Sequence, residues 1–323
     1  MRSLPAVRGP VAALAVGLLL SACSGTEPGG VASSAPAGPV PTSAVPTSAV
    51  PTAAPSASGE PSPTLFGAAY KVTQAESEGD ALARTEQVLG RLEVVRVFFD
   101  GPPSWPGKAP GRNVVVSFKL EPAAVVAGQF DEQMRTWFRE APRDVDVHWV
   151  YWHEPEDDIE QGRFTAEQYR AAFAHLADLA RGVEGPRTHS ALVLQSYTTR
   201  PASGRDWHDY YPGDGAVDVF AWDVYNRPAR RGGYTPPAEL VGAQVEAARS
   251  VGKPFAVAEL GSVLADGDDG SGRAQWLREV GDYLKAQDAV FVTYFDLAFN
   301  GGRDDYRLRD PASVQAWRDV SGA

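Results

Sequence analysis

A single cysteine in 323 residues leaves no partner for an intrachain disulfide, no CxxC redox pair and no thiolate-based metal site. Basic charge is scarce as well: 30 Lys and Arg face 41 Asp and Glu, a net charge of −11. That balance argues against a general nucleic-acid binder, because a phosphate backbone calls for a dense cationic surface. Neither GxGxxG nor GxxxxGK[ST] follows the first apolar run after residue 63, where a doubly wound nucleotide-binding fold would carry one. A hydrophobic content of 43% with 10% aromatic residues is too high for a wholly disordered chain.

The lone cysteine is explained by its position. Arg2 and Arg8 form a basic start, Val11 to Leu20 an apolar segment, and Leu20-Ser21-Ala22 precede Cys23 with small residues. This resembles a bacterial lipoprotein signal, which implies removal of residues 1–22 and lipid attachment at Cys23; a plain secretory signal cut nearby is the alternative. Ten apolar residues are too few for a permanent span, which needs about 20. Residues 23–63 are then a Pro/Ser/Thr/Ala-rich tether with the near-repeat VPTSAVPTSAVPT from Val40 to Thr52 and no large apolar residue able to seed a core. At about 3.1 Å per residue such a segment reaches roughly 120 Å. The expected location is extracytoplasmic, with membrane contact through the lipid alone.

From Thr64 the composition changes, and the remaining residues suit one large domain, 64–323. Apolar, β-branched and aromatic runs predict strands at 64-TLFGAAY, 92-LEVVRVFFD, 113-NVVVSFKL, 145-VDVHWVYWHE, 189-HSALVLQSY, 217-VDVFAWDVY, 254-PFAVAELG and 289-AVFVTYFD. Helical spacing fills most intervals, as in Leu82/Thr85/Leu89, Met134/Trp137/Phe138 and Tyr169/Phe173/Leu176, the last preceded by a Thr165/Gln168 capping box. Only the second and fifth intervals lack a helical pattern. Eight strands alternating with helices predict the α/β fold of a (β/α)8 TIM barrel, whose chemistry sits where strands run into βα loops.

Two strand ends carry carboxylates after long apolar runs: Trp152-His153-Glu154-Pro155-Glu156 on the fourth and Ala258-Glu259-Leu260-Gly261 on the seventh. A charge there is costly to bury unless it is paired or functional. Two carboxyl groups converging on one barrel mouth are what glycosidic bond cleavage requires. Each also reads as a member of a structural ion-pair network.

On these residues the domain resembles the retaining glycoside hydrolases of the large barrel clan, most closely the family 26 endo-β-mannanases, which have a His-Glu pair at the fourth strand end. The resemblance implies Glu154 as general acid/base, Glu259 as nucleophile, His153 as a sugar contact or as the residue that orients the acid, and Tyr225 of Trp222-Asp223-Val224-Tyr225 as the hydrogen-bond partner of the nucleophile. Asp223 becomes a candidate sugar ligand. Two departures bear on the substrate: Val150 stands where the family commonly has arginine, and Glu156 where it has asparagine.

Lys119, near the third strand end, is a further candidate for the ligand face. Trp105, Trp152, Trp207 and Trp222 fall at strand ends or in the loops after them, where flat rings stack on sugars; each alone reads as readily as core packing. The acidic loop 266-DGDDGSG lacks the spacing of a calcium loop and is expected as a flexible loop near the cleft. The run 301-GGRDDYR is expected to be solvated.

The leading expectation is a lipid-anchored retaining β-glycosidase, endo-acting on β-mannan or a related polysaccharide, monomeric and without cofactor or metal. Two alternatives stay open: a surface glycan-binding protein on a hydrolase barrel, and metal-assisted hydrolysis such as deacetylation.

Overall fold

The computed structural model describes residues 63–323, apart from 73–75, 106–110 and 229–232. The signal segment, the lipidation candidate Cys23 and the tether up to residue 62 therefore lie outside the described residues. Eight parallel strands close into a barrel in chain order: β1 (Leu65–Ala69), β2 (Val94–Phe99), β3 (Asn113–Phe118), β4 (Val147–Tyr151), β5 (Thr188–Gln195), β6 (Val219–Asn226), β7 (Phe255–Ser262) and β8 (Phe291–Phe295), with β8 pairing back onto β1. All eight match the runs predicted from sequence.

Around the barrel lie α1 (Glu78–Leu89), α2 (Pro122–Val126), α3 (Asp131–Arg139), α4 (Glu156–Glu160), α5 (Ala166–Arg181), α6 (Pro237–Ser250), α7 (Ser271–Ala286) and α8 (Pro311–Ser321). A hairpin of β9 (Ala298–Phe299) and β10 (Asp304–Asp305) follows β8. Local chemistry starts these helices where the sequence calls for it. Thr165 Oγ1 accepts from the Gln168 N–H at 3.1 Å while Gln168 Oε1 accepts from the Thr165 N–H at 2.8 Å, the reciprocal capping box. Among the described residues the second interval has no helix, and the fifth has only three 3-10 turns, at Ser196–Thr199, Pro201–Ser203 and Trp207–Asp209.

Alternation along each strand divides the core in two. Val94, Val115, Val150, Ala191, Val193, Ala221, Ala256 and Ala258 fill the barrel interior. Val95, Val116, Trp149, Tyr151, Leu192, Trp222 and Val257 face the helices in a larger cluster. Gly67 lets the first two strands close up: a Cβ there would sit 1.6 Å from the Val94 carbonyl oxygen. Interior side chains shrink to alanine on β6 and β7, and the polar residues that continue those faces stand at the open mouth.

Candidate active site

At the C-terminal ends of the strands a cleft of about 790 Å³ is lined by Glu154, Glu259, Asp223, Tyr225, His153, Gln195 and Lys119, together with residues of the surrounding loops. Two breaks in strand alternation put the glutamates there. Trp152 and Glu154 both adopt left-handed backbone, φ 47° and 51°, a sparsely populated region for residues other than glycine. The segment stays anchored on both sides, by the Trp152 N–H to Phe118 O at 2.9 Å and the Glu154 N–H to Val193 O at 3.2 Å. The turn sends Trp152 outward into the helix layer and leaves His153 and Glu154 at the cleft. Strict alternation would have put Trp152 inside.

On the opposite wall, β7 carries a bulge. Its pairing with β6 runs Trp222 to Val257 and then Asp223 to Glu259, skipping Ala258. The Ala258 carbonyl is taken up by the Thr293 hydroxyl on β8. The extra residue turns Glu259 inward beside Asp223, a use of bulges common next to functional sites.

The two glutamates have contrasting surroundings. Glu259 accepts from the Tyr225 hydroxyl at Oε2 and from Arg96 Nε at Oε1, 3.2 Å away. Among the described residues the hydrogen-bond donor to the Glu154 carboxyl is a neutral amide, Gln195 Nε2 at 3.4 Å. Burial, then the Glu259 charge, pushes the Glu154 carboxyl up to about 7. Asp223 is buried; among the described residues its ion-pair partner is Arg96, with Nη2 at 3.7 Å, and neither carboxyl oxygen has a hydrogen bond. Burial and the Glu259 charge hold it well above the usual carboxylate range.

His153 lines the cleft edge-to-face with Phe98, ring centroids 5.3 Å apart. Burial, then the charges of Arg96 and Lys119, keep its imidazole well below its usual range and hence neutral. Gly261 makes room for Tyr225: a Cβ there would lie 2.8 Å from the Tyr225 ring and 2.9 Å from that of Tyr306. Behind Glu154, the fully buried Glu156 accepts the Gln195 N–H at 2.7 Å through Oε1 and, among the described residues, has no partner at Oε2. Burial pushes that carboxyl up to about 8.

Arg96 was missed by the sequence reading. Its signal was legible: a fully buried charge between Val95 and Val97, in the middle of an apolar strand, obeys the same reasoning that singled out Glu154 and Glu259.

The tryptophans are the main correction. None of Trp105, Trp152, Trp207 and Trp222 lines the cleft. Trp105 stacks on Trp137 at 5.0 Å and donates to the Trp137 carbonyl. Trp152 donates to Asp158 at 2.7 Å, packs on Phe164 and lies beneath Arg163. Trp207 and Trp222 both pack on Phe220. The aromatic walls come instead from Tyr197, Phe295, Phe299 and Tyr306.

Lys119 does face the cleft, 3.5 Å from Asp158. The 301–307 run, expected to be solvated, contributes Asp304 and Tyr306 to the cleft. The acidic loop contributes none of its residues to it; Asp268 instead accepts the N–H groups of Gly270, Gly272 and Arg273 and the Tyr234 hydroxyl, fixing the start of α7. Among the described residues no three His, Cys, Asp or Glu side chains are grouped to hold a metal ion.

The fold and cleft place the domain among the (β/α)8 barrels with a pair of strand-end glutamates. Solved structures with the same fold include the modular endo-β-1,4-mannanase of Cellulomonas fimi, described with the family 26 mannanases, at 18% identity and TM-score 0.53 over 81% of this chain and 71% of that one. The family 26 β-mannanase of Bacteroides ovatus matches at 16% identity and TM-score 0.52, covering 80% of this chain and 88% of its own. A glucosidase from Croceicoccus marinus matches at 15% identity and TM-score 0.55, over 82% and 68%. No known family profile and no curated protein sequence matches the chain.

Proposed function

We propose that this chain is a retaining β-glycoside hydrolase, endo-acting on β-mannan or a related β-linked polysaccharide. The observation that carries the reading is the asymmetry of the two glutamates across one cleft: Glu259 between a guanidinium and a phenol donor, Glu154 desolvated and protonated up to about pH 7. Surroundings that differ in this way support Glu154 as the acid and Glu259 as the nucleophile. The β-mannanases among the solved structures of the same fold support the substrate class.

In the first step Glu259 attacks the anomeric carbon as Glu154 gives its proton to the glycosidic oxygen. The carbon–oxygen bond breaks, and the sugar is held as an ester on Glu259. Glu154, now a carboxylate, takes a proton from water as the water oxygen attacks the same carbon and returns Glu259 to its carboxylate. Two inversions retain the anomeric configuration. Arg96 and Tyr225 orient the attacking carboxylate, and Asp223, beside Arg96, adds to the polar floor. Lipid attachment at Cys23, with the tether between, would hold the enzyme outside the cytoplasmic membrane.

Release of reducing ends by the full chain from mannan, glucomannan, xylan and mixed-linkage glucan tests the proposal, with Glu259→Ala alongside. Release that vanishes in the folded variant is expected. Tight glycan binding with no release from any polymer would favour the non-catalytic alternative.

A further inference from the structure

Among the described residues four cationic side chains line the cleft, Lys71, Lys119, Arg200 and Arg227; the two arginines stand together at Tyr197 and have no part in the hydrolysis of a neutral sugar. Arg227, just beyond β6, donates from Nε to the Tyr306 hydroxyl and from Nη1 to the Tyr197 hydroxyl, each at 3.0 Å. The Arg200 guanidinium lies 5.4 Å from the centre of the Tyr197 ring. Both arginines are half-buried and line the same cleft as Glu154 and Glu259. Among the described residues neither has a carboxylate within 4.0 Å, although Asp304 is near enough to contribute to the Arg227 charge environment.

Several arginines elsewhere are neutralised by carboxylates: Arg96 has Glu259, Arg163 has Glu121, Arg205 has Asp157 and Glu160, and Arg273 has Asp310. Phenol oxygens satisfy N–H donors without neutralising charge, so the guanidiniums at Tyr197 remain net cations. Their support is built in. Gln244 Nε2, buried under the 3-10 turn, donates to Ser196 O at 3.1 Å and Thr199 Oγ1 at 3.0 Å, fixing the turn that carries Tyr197 and leads into Arg200. A planar fork of donors on a rigid mount suits a carboxylate, which accepts two parallel N–H bonds where a sugar hydroxyl takes one.

We propose that Arg200, Arg227 and Tyr197 form a subsite for a carboxylate-bearing sugar, so that the polysaccharide cleaved here is an acidic β-glycan with its uronate unit beside the bond that Glu154 and Glu259 act on. The proposal rests on the glycosidase reading for the cleavage but not for the binding. Arg227 lies 5.8 Å from the centre of the Tyr225 ring, which places the subsite next to the nucleophile and not at a remote edge.

The test is calorimetric binding to the full chain carrying Glu154→Gln, which removes turnover. The probes are a β-1,4-linked mannuronate hexamer and mannohexaose, alike in ring configuration and linkage and differing in the carboxylate. The uronate hexamer is expected to bind at least tenfold more tightly at low salt, with the advantage lost in Arg200→Gln/Arg227→Gln and reduced but not abolished in Arg200→Lys/Arg227→Lys, which keeps the charge without the planar fork, circular dichroism and melting confirming that both variants fold. Equal or tighter binding of mannohexaose, or an unchanged preference in the folded glutamine variant, would overturn the subsite. The two readings fail separately: uronate binding without cleavage by the unmodified chain sinks the hydrolase and keeps the subsite, while cleavage of neutral mannan without uronate preference does the reverse.

Discussion

Glu156→Gln isolates the cost of a buried carboxyl from the catalytic chemistry. The side chain is fully buried, its Oε1 accepts the Gln195 N–H and, among the described residues, its Oε2 has no partner, so ionising it strands a charge away from water. Burial raises its pKa from the usual 4.5 to about 8. The folded state thus keeps a proton that the unfolded chain gives up at lower pH. This contribution to stability is complete below about 4.5 and is lost as the pH rises through about 8.

A shift of that size corresponds to on the order of 5 kcal/mol, or less where water reaches the site as the group ionises. Glutamine keeps the acceptor for Gln195 and cannot ionise. Urea unfolding of both proteins at pH 5, 6, 7 and 8 should therefore show the wild type losing several kcal/mol relative to the variant across the series, with the variant the more stable at pH 8. Glu154 titrates in both proteins, so its contribution largely cancels in the difference. Parallel stability curves would refute the reasoning, because they would mean that Glu156 ionises in place at no cost.

Tyr225→Phe removes the phenol donor from Glu259 and should slow turnover about 10- to 100-fold while leaving the melting temperature nearly unchanged, in line with about 1.5–3 kcal/mol for a hydrogen bond to a charged group. As the proposed general acid, Glu154 would have to be protonated to act, so kcat/KM should fall above about pH 7, and Gln195→Leu, which removes the amide that favours the charged form, should move that limb to higher pH in a pH–rate profile. Gly261→Ala drives a methyl into the Tyr225 and Tyr306 rings and should cost about 1–3 kcal/mol in denaturant unfolding together with activity. Trp105→Ala should lower stability by up to about 3 kcal/mol yet leave glycan affinity intact by calorimetry, since the ring stacks on Trp137 away from the cleft.

The barrel was legible because its strands are buried on both faces and read as apolar runs, with helical spacing between them. Glu154 and Glu259 stood out for the same reason, as charges that interrupt such runs. Alternation failed locally at two places. The left-handed turn at Trp152 and the bulge at Ala258 each reverse the face of the next residue, and neither has a glycine or proline at that position to announce it. Trp222 was in principle readable, since Ala221, Asp223 and Tyr225 share the inward face and put the indole outward. The cleft aromatics Tyr197, Phe299 and Tyr306 sit in a 3-10 turn, in a two-residue hairpin strand and just after that hairpin, segments too short for periodicity to distinguish a wall of the site from a solvated turn.

The most direct test of the central claim is to trap the nucleophile. The full chain would be incubated with 2-deoxy-2-fluoro-β-glycosyl fluorides of mannose, glucose and mannuronic acid, followed by intact-mass and peptide analysis. The account predicts a stoichiometric adduct from at least one of them, located on Glu259 and absent in Glu259→Ala. Turnover of a polysaccharide with inverted products, or an adduct on another side chain, would contradict it.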